Sequence, residues 1–199
     1  MPNLEEAREA VRDIIRDGKR AGEVIARIRA LTKRTSAPTE RLDLNQTIRD
    51  VLAIVGDEAK RRSVVIRTLF TDDLSPVSGD RVQLQQVLLN LVMNAMEAMS
   101  DVDDRVRQLV ITTRNIDPGQ VEVAVEDSGT GLDPSLTSKI FEAFYTTKSG
   151  GMGMGLAISR SILQNHGGRL WATPNDGPGA SFHFTLPKYE EQPARVGAI

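Results

Sequence analysis

Between Asp80 and Ser100 the apolar residues Leu84, Val87, Leu88, Leu91 and Ala95 recur at steps of three and four, the spacing of one buried helix face. Asp80 stands where such a helix needs an N-cap. The segments around this helix mix strand and helix signals without the regular βαβ rhythm of a doubly wound sheet. The fold class that follows is α+β, a two-layer α/β sandwich in which helices cover a mixed sheet.

The remaining elements fall out of the same periodicities. Asp43 and Asn45 offer N-caps for a helix through Ile48, Val51, Leu52 and Ile54. Val64 to Phe70 is an apolar, β-branched strand. Gln108 to Asn115 and Val121 to Glu126 alternate as neighbouring strands across the turn Asp117-Pro118-Gly119. Then come a glycine-rich loop, a short apolar helix around Leu136 to Phe144, a second glycine run, a helix from about Leu156 to Asn165, and strands at Arg169 to Ala172 and Ser181 to Leu186.

Ahead of this domain, Leu4, Ala7, Val11, Ile14, Gly18, Ala21, Ile25, Ile28 and Leu31 mark one face of a helix of about thirty residues. Ser36-Ala37-Pro38-Thr39-Glu40 ends it, because proline cannot continue the ladder. The expected organisation is a long helix over 1–36, a linker over 37–41, a domain over 42–187 and a flexible tail over 188–199. The apolar stripe of the first helix calls for a partner, so self-association as a homodimer or packing onto the domain is expected.

Hydrophobic residues make up 40% of the 199-residue chain and charged residues 26%, so a folded core is expected throughout most of it. A formal net charge of −2 excludes a general attraction to nucleic acid or to an anionic membrane surface. Basic residues from Arg8 to Arg34 are interleaved with Glu9, Asp13, Asp17 and Glu23, which is the pattern of a solvated helix face. With no cysteine there are no disulfides or thiolate metal sites. No run reaches the roughly 18 apolar residues of a membrane span, and a cytoplasmic location is expected.

Four local patterns carry chemistry. Asn90 and Asn94 share one face of the long helix, and an amide oxygen suits Mg²⁺, which prefers oxygen ligands. Asn90 interrupts an apolar run, where a merely solvated asparagine is out of place. Asp127-Ser128-Gly129-Thr130-Gly131 follows a strand, so a carboxylate at the strand end can accept from an exocyclic amino group while glycines let a ring approach. Phe141 to Lys148 could anchor a mobile loop by its aromatics and offer an ammonium to a phosphate. Gly150-Gly151-Met152-Gly153-Met154-Gly155 immediately precedes a helix, an arrangement that presents backbone N–H groups to an anion. Each pattern taken alone also fits an ordinary turn, cap or core position.

In their order and spacing the four patterns resemble the histidine-kinase branch of the ATPase superfamily that includes gyrase, Hsp90 and MutL. Asn90 and Asn94 resemble its N box, Asp127 to Gly131 its G1 box, Phe141 to Lys148 its F box and Gly151 to Gly155 its G2 box. The likeness runs from about Leu42 to Pro187. It implies that Asn94 coordinates Mg²⁺ with Asn90 beside it near the phosphates, and that Asp127 recognises the adenine of ATP in a pocket shaped by Gly129 and Gly131. It also implies an ATP lid from about Leu132 to Gly155, with Lys148, Gly151, Gly153, Gly155 and the helix start at Leu156 around the phosphates.

Hydrolysing members of the superfamily carry a glutamate general base where this chain has Asn90, and an amide cannot take a proton from water. The implied reaction is therefore transfer of the γ-phosphoryl group to a histidine, not rapid hydrolysis. Arg20 to Leu31 resembles the second helix of a dimerisation and phosphoacceptor hairpin, whose acceptor histidine lies on the preceding helix. Partners implied are that acceptor hairpin and a response regulator. His166 and His183 are the chain's two histidines. His166, before Gly167-Gly168, is expected to cap a helix C-terminus, where the dipole favours a cation, and His183 to point outward from a strand. The alternative reading is a degenerate nucleotide-binding module that transfers no phosphate, and a gyrase-type hydrolase is a third.

Overall fold

The computed structural model describes residues 40–116, 119–147 and 152–190. The chain divides between Thr35 and Ser36, and every described residue belongs to the second unit. The long helix expected over 1–36, Lys148, Gly151 and the residues Asp117 and Pro118 lie outside the described residues.

In chain order the elements are β1 (Glu40–Leu42), α1 (Leu44–Arg61), β2 (Val64–Leu69), β3 (Val77–Gly79), α2 (Arg81–Ala98), β4 (Arg107–Ile116), β5 (Gln120–Asp127), α3 (Gly155–Asn165), β6 (Arg169–Pro174) and β7 (Ala180–Pro187). Five strands form one mixed sheet in the order β2-β4-β5-β7-β6. β2 runs parallel to β4 and the other pairs are antiparallel. β1 and β3 form a separate two-stranded ribbon. This is the mixed sheet with helices expected from the sequence.

The two caps form where the sequence puts them. The Asp43 carboxylate accepts from the Gln46 N–H at 3.0 Å, and the Asp80 carboxylate from the Val82 and Gln83 N–H groups at 2.9 and 3.2 Å. Each such cap contributes about 1 kcal/mol. Asn45 is not a cap. It is buried inside α1, where its amide oxygen accepts from the Thr113 hydroxyl at 2.9 Å and its Nδ2 donates to the Thr71 carbonyl at 3.0 Å.

The core lies between the helices and the inner face of the sheet. Leu84, Val87, Leu88, Leu91 and Ala95 of α2 are buried there with Leu109 and Ile111 of β4, Val121, Val123 and Val125 of β5, and Phe182, Phe184 and Leu186 of β7. Val123 pairs with Phe184 and Val125 with Phe182, so aromatic and β-branched side chains meet across the strands. No helix among the described residues is long and apolar enough to cross a membrane.

Besides Asn45, two expectations are revised. The apolar helix around Leu136 to Phe144 is instead two 3₁₀ turns, Pro134–Leu136 and Lys139–Phe141. Of these six residues only Phe141 is buried, and so short a segment has too little apolar face to hold an α-helix. His183 lies on the outer face of the sheet as expected, alternating with buried Phe182 and Phe184. Its ring stacks on Trp171 with centroids 5.3 Å apart, and Nδ1 is buried 3.6 Å from a Glu122 oxygen.

His166 caps α3 as expected, but not as a cation. The Asp80 N–H donates to its Nε2 at 3.0 Å, which requires an unprotonated nitrogen there. Nδ1–H then donates to the Ile162 carbonyl at 2.8 Å. Beyond Pro187, Lys188 N–H donates to the Gly119 carbonyl at 2.9 Å and Tyr189 N–H to that of Pro76 at 2.7 Å.

Candidate functional site

α2 organises the site. Its residues Asn90, Asn94 and Ala98 follow at intervals of four, which sets them on one face over a length of about 12 Å. At the Asn90 end, the amide Nδ2 donates to Ser159 Oγ on α3 at 3.0 Å. The Asn90 amide oxygen lies against the bare Cα of Gly155, the first residue of α3, where a Cβ would overlap it. Any larger residue here would force the Asn90 amide or the helix to shift.

α3 begins differently from α1 and α2. Its N-cap is Met154, a buried side chain that makes no cap hydrogen bond. The first N–H groups of a helix have no intrahelical partner, and here Met154 does not cap them. A helix start beside Asn90 whose N-cap residue supplies no cap is suited to an anion.

At the other end of α2 stands the loop after β5. Thr130 N–H donates to the Ala98 carbonyl at 3.1 Å, and a Cβ on Gly129 would come within 2.6 Å of the same oxygen. Gly131 lies against the backbone of Gly179. Asp127, the last residue of β5, is 3% exposed. Burial pushes its carboxyl up to about 6, opposed by hydrogen bonds from the Gly129 and Ala180 N–H groups and reinforced slightly by the Glu126 charge. The Gly129 bond is 2.8 Å to Oδ1.

Between the two glycine regions the chain folds back on itself. Phe144 N–H donates to the Gly153 carbonyl at 3.0 Å. Phe141 is buried with the Arg160 guanidinium 5.9 Å from its ring centroid, whereas Phe144 is 75% exposed with φ +68. Met154 and Ile158 continue the buried side into α3.

Of the sequence-predicted residues, Asn90 and Gly155 are therefore brought together directly. Asp127, Gly129 and the C-terminal end of the Asn94 helix form a second cluster. Gly153 meets the Phe144–Tyr145 backbone, and Leu156 occupies the second position of α3. Asn94 is half-buried one turn beyond Asn90.

Sequence reasoning missed Ser159, whose only signal is its place one turn after Gly155. It also missed Asn175 and Gly179. Asn175 Nδ2 donates to the Asp127 carbonyl at 3.1 Å, and a Cβ on Gly179 would overlap that oxygen. Neither is marked by a local pattern, because both reach Asp127 from the turn between β6 and β7.

Comparison with known proteins identifies the family. The family model described as histidine kinase-, DNA gyrase B-, and HSP90-like ATPase matches residues 79–190. The chain is 37% identical to the sensor histidine kinase TmoS of Ectopseudomonas mendocina over 94% of this chain and 19% of that protein. It is 38% identical to the sensor protein FixL of Bradyrhizobium diazoefficiens over 96% of this chain and 37% of that protein. The chain thus spans well under half the length of these relatives.

Among solved structures, the catalytic domain of histidine kinase ThkA superposes with a TM-score of 0.69 at 33% identity, covering 76% of this chain and 97% of that one. Full-length ShkA, in complex with AMPPNP, superposes with a TM-score of 0.78 at 25% identity over 92% of this chain and 39% of that one. A second ThkA structure, in complex with the response regulator protein TrrA, gives 0.76 at 27% identity over 95% of this chain and 53% of that one. The chain belongs to the histidine kinase-, DNA gyrase B- and HSP90-like ATPase family and carries the ATPase domain of a sensor histidine kinase.

Proposed function

We propose that this chain binds Mg-ATP and transfers the γ-phosphoryl group to a histidine on a phosphoacceptor hairpin. The observation that carries this reading is the placement of two glycine regions along α2, the start of α3 at Asn90 and the loop after β5 at Ala98. About 12 Å of helix separates an anion-binding helix start from a buried carboxylate, a separation that accommodates a nucleotide laid along Asn90 and Asn94.

In this reading Asp127 accepts from the adenine amino group, and Gly129 and Gly131 shape the base pocket. Asn90, Gly153, Gly155, Leu156 and, outside the described residues, Lys148 and Gly151 surround the phosphates. Asn94 offers an amide oxygen to Mg²⁺, a donor type that fits this ion. When bound, Mg²⁺ neutralises charge on the β- and γ-phosphates. Asn90 is not a base: its Nδ2 is committed to Ser159, and an amide does not accept a proton from water. The backbone donors at the start of α3 stabilise charge on the transferred group.

The AMPPNP complex of ShkA supports ATP as the nucleotide, and the ThkA–TrrA complex supports a response regulator as downstream partner. A cytoplasmic setting follows from the use of ATP. Calorimetric titration with a non-hydrolysable ATP analogue, with and without Mg²⁺, tests binding. Phosphotransfer from ATP to a separately supplied acceptor hairpin tests the reaction. Tight binding without any transfer would identify a nucleotide-binding module instead, and steady ATP turnover by the chain alone would identify a hydrolase.

A further inference from the structure

We infer that Arg105 is a positioning residue that sets the selectivity of this site for adenine, by clamping the two peptide units that follow Asp127, one of which donates to its carboxylate and the other to the end of α2. The inference rests on the reading of Asp127 as the base-recognising group.

Arg105 stands in the connection between α2 and β4, far from every pattern that marks the site in the sequence. Its half-buried guanidinium donates from Nε to the Ser128 carbonyl at 3.0 Å and from Nη2 to the Gly129 carbonyl at 2.9 Å. Nη1 is held by the Asp104 carboxylate at 2.9 and 3.1 Å. All three nitrogens are therefore occupied, and the planar fork has one orientation.

Those two carbonyls belong to the peptides that tie the loop after β5 to Asp127 and to the end of α2. The peptide holding the Ser128 carbonyl also holds the Gly129 N–H, which donates to Asp127 Oδ1 at 2.8 Å. The peptide holding the Gly129 carbonyl also holds the Thr130 N–H, which donates to the Ala98 carbonyl at 3.1 Å. Each peptide is thus gripped on its oxygen by one arm of Arg105 and on its nitrogen by the site. A cation on the carbonyl oxygen also polarises the peptide and strengthens its N–H as a donor.

The consequence concerns base discrimination. Adenine presents an amino donor to the carboxylate where guanine presents a carbonyl oxygen, so a carboxylate fixed in place accepts one and repels the other. Without the clamp, the loop can shift or exchange its bonds and Asp127 can move away from a wrong base. A lysine supplies a point charge without the fork and can reach only one carbonyl at a time.

The test is calorimetric titration of the full chain and its variants Arg105→Ala, Arg105→Lys and Asp127→Asn with AMPPNP, ADP and the non-hydrolysable analogue of GTP. Arg105→Ala is expected to weaken AMPPNP and ADP alike by about tenfold. The guanine analogue is expected to change far less, so that the adenine preference contracts. Arg105→Lys is expected to be intermediate, and it carries the test if the alanine variant fails to fold. Unchanged affinities overturn the inference, as does an equal weakening of adenine and guanine nucleotides, which would mark Arg105 as merely structural. If the unmodified chain binds no adenine nucleotide, or Asp127→Asn binds as well as the parent, the ATP reading fails first and the inference with it.

Discussion

Asn90 on α2 and Ser159 on α3 are joined by a 3.0 Å hydrogen bond from the asparagine Nδ2 to the serine hydroxyl, one helical turn from the point where the same asparagine's oxygen meets the bare Cα of Gly155. The pair fixes how closely the start of α3 approaches α2. Adding a methyl group at Gly155 must push the helices apart or swing the amide away. Gly155→Ala is expected to cost about 1–3 kcal/mol of stability and to weaken nucleotide binding at least about tenfold. Urea unfolding and calorimetric titration of the variant measure the two effects.

Asp127 makes both folding and binding depend on pH. Its carboxyl lies at about 6 in the folded chain against 3.8 as the ordinary value. Between those values the native state holds more protons than the unfolded one, so stability falls as pH rises from about 4 to about 6 and then levels off. The cost at neutral pH is up to about 3 kcal/mol. Asp127→Asn is therefore expected to raise the melting temperature of the nucleotide-free chain at pH 7 and to show little such gain at pH 4.

The same group has the opposite effect on the ligand. An adenine amino group donates best to the ionised carboxylate, so nucleotide affinity is expected to rise as pH increases through about 6 and to plateau above 7. Titrations from pH 5 to pH 8 check this, and the dependence is expected to vanish in Asp127→Asn.

His166 ties the end of α3 to the start of α2 by accepting from Asp80 N–H and donating to the Ile162 carbonyl. His166→Ala leaves the Asp80 N–H without its partner and is expected to cost about 1–3 kcal/mol. Because both helices carry site residues, hydrogen exchange should show faster opening at the start of α2, around Asp80 to Gln83.

Phe144 holds a left-handed backbone, φ +68, while 75% exposed. That conformation costs a non-glycine residue about 1–2 kcal/mol, and so exposed a ring recovers little of it by burial. Phe144→Gly is expected to stabilise the isolated chain by about 1 kcal/mol in thermal unfolding. If the aromatic serves the acceptor hairpin or the lid, the same variant loses phosphotransfer despite its greater stability.

The legibility of the site in the sequence follows a simple division. Asn90, Asp127 and Gly155 were visible because each sits in a short pattern whose chemistry is local: a polar residue interrupting an apolar face, a carboxylate at a strand end, glycines before a helix. Asp43 and Asp80 were visible as caps for the same reason, since capping involves bonds within three residues. Asn45, Ser159, Asn175 and Arg105 were not. Their partners lie on other elements, so nothing near them in the chain marks what they do. β1 and β3 escaped because three-residue strands carry too little periodicity to read.

By itself the sequence determined the α+β class, the Asp43 and Asp80 caps, the inner faces of α2 and the strands, and the order of the four local patterns, all of which depend on periodicity or on neighbours a few residues apart. The tertiary structure alone decided which glycine meets which partner, that His166 is a neutral bridge rather than a cationic cap, that His183 stacks on Trp171, and that Asp127 is buried enough to resist ionising. These are consequences of which surfaces the sheet order β2-β4-β5-β7-β6 brings together. Long-range proximity sets burial and hydrogen-bond partners, and neither is encoded in any one stretch of chain.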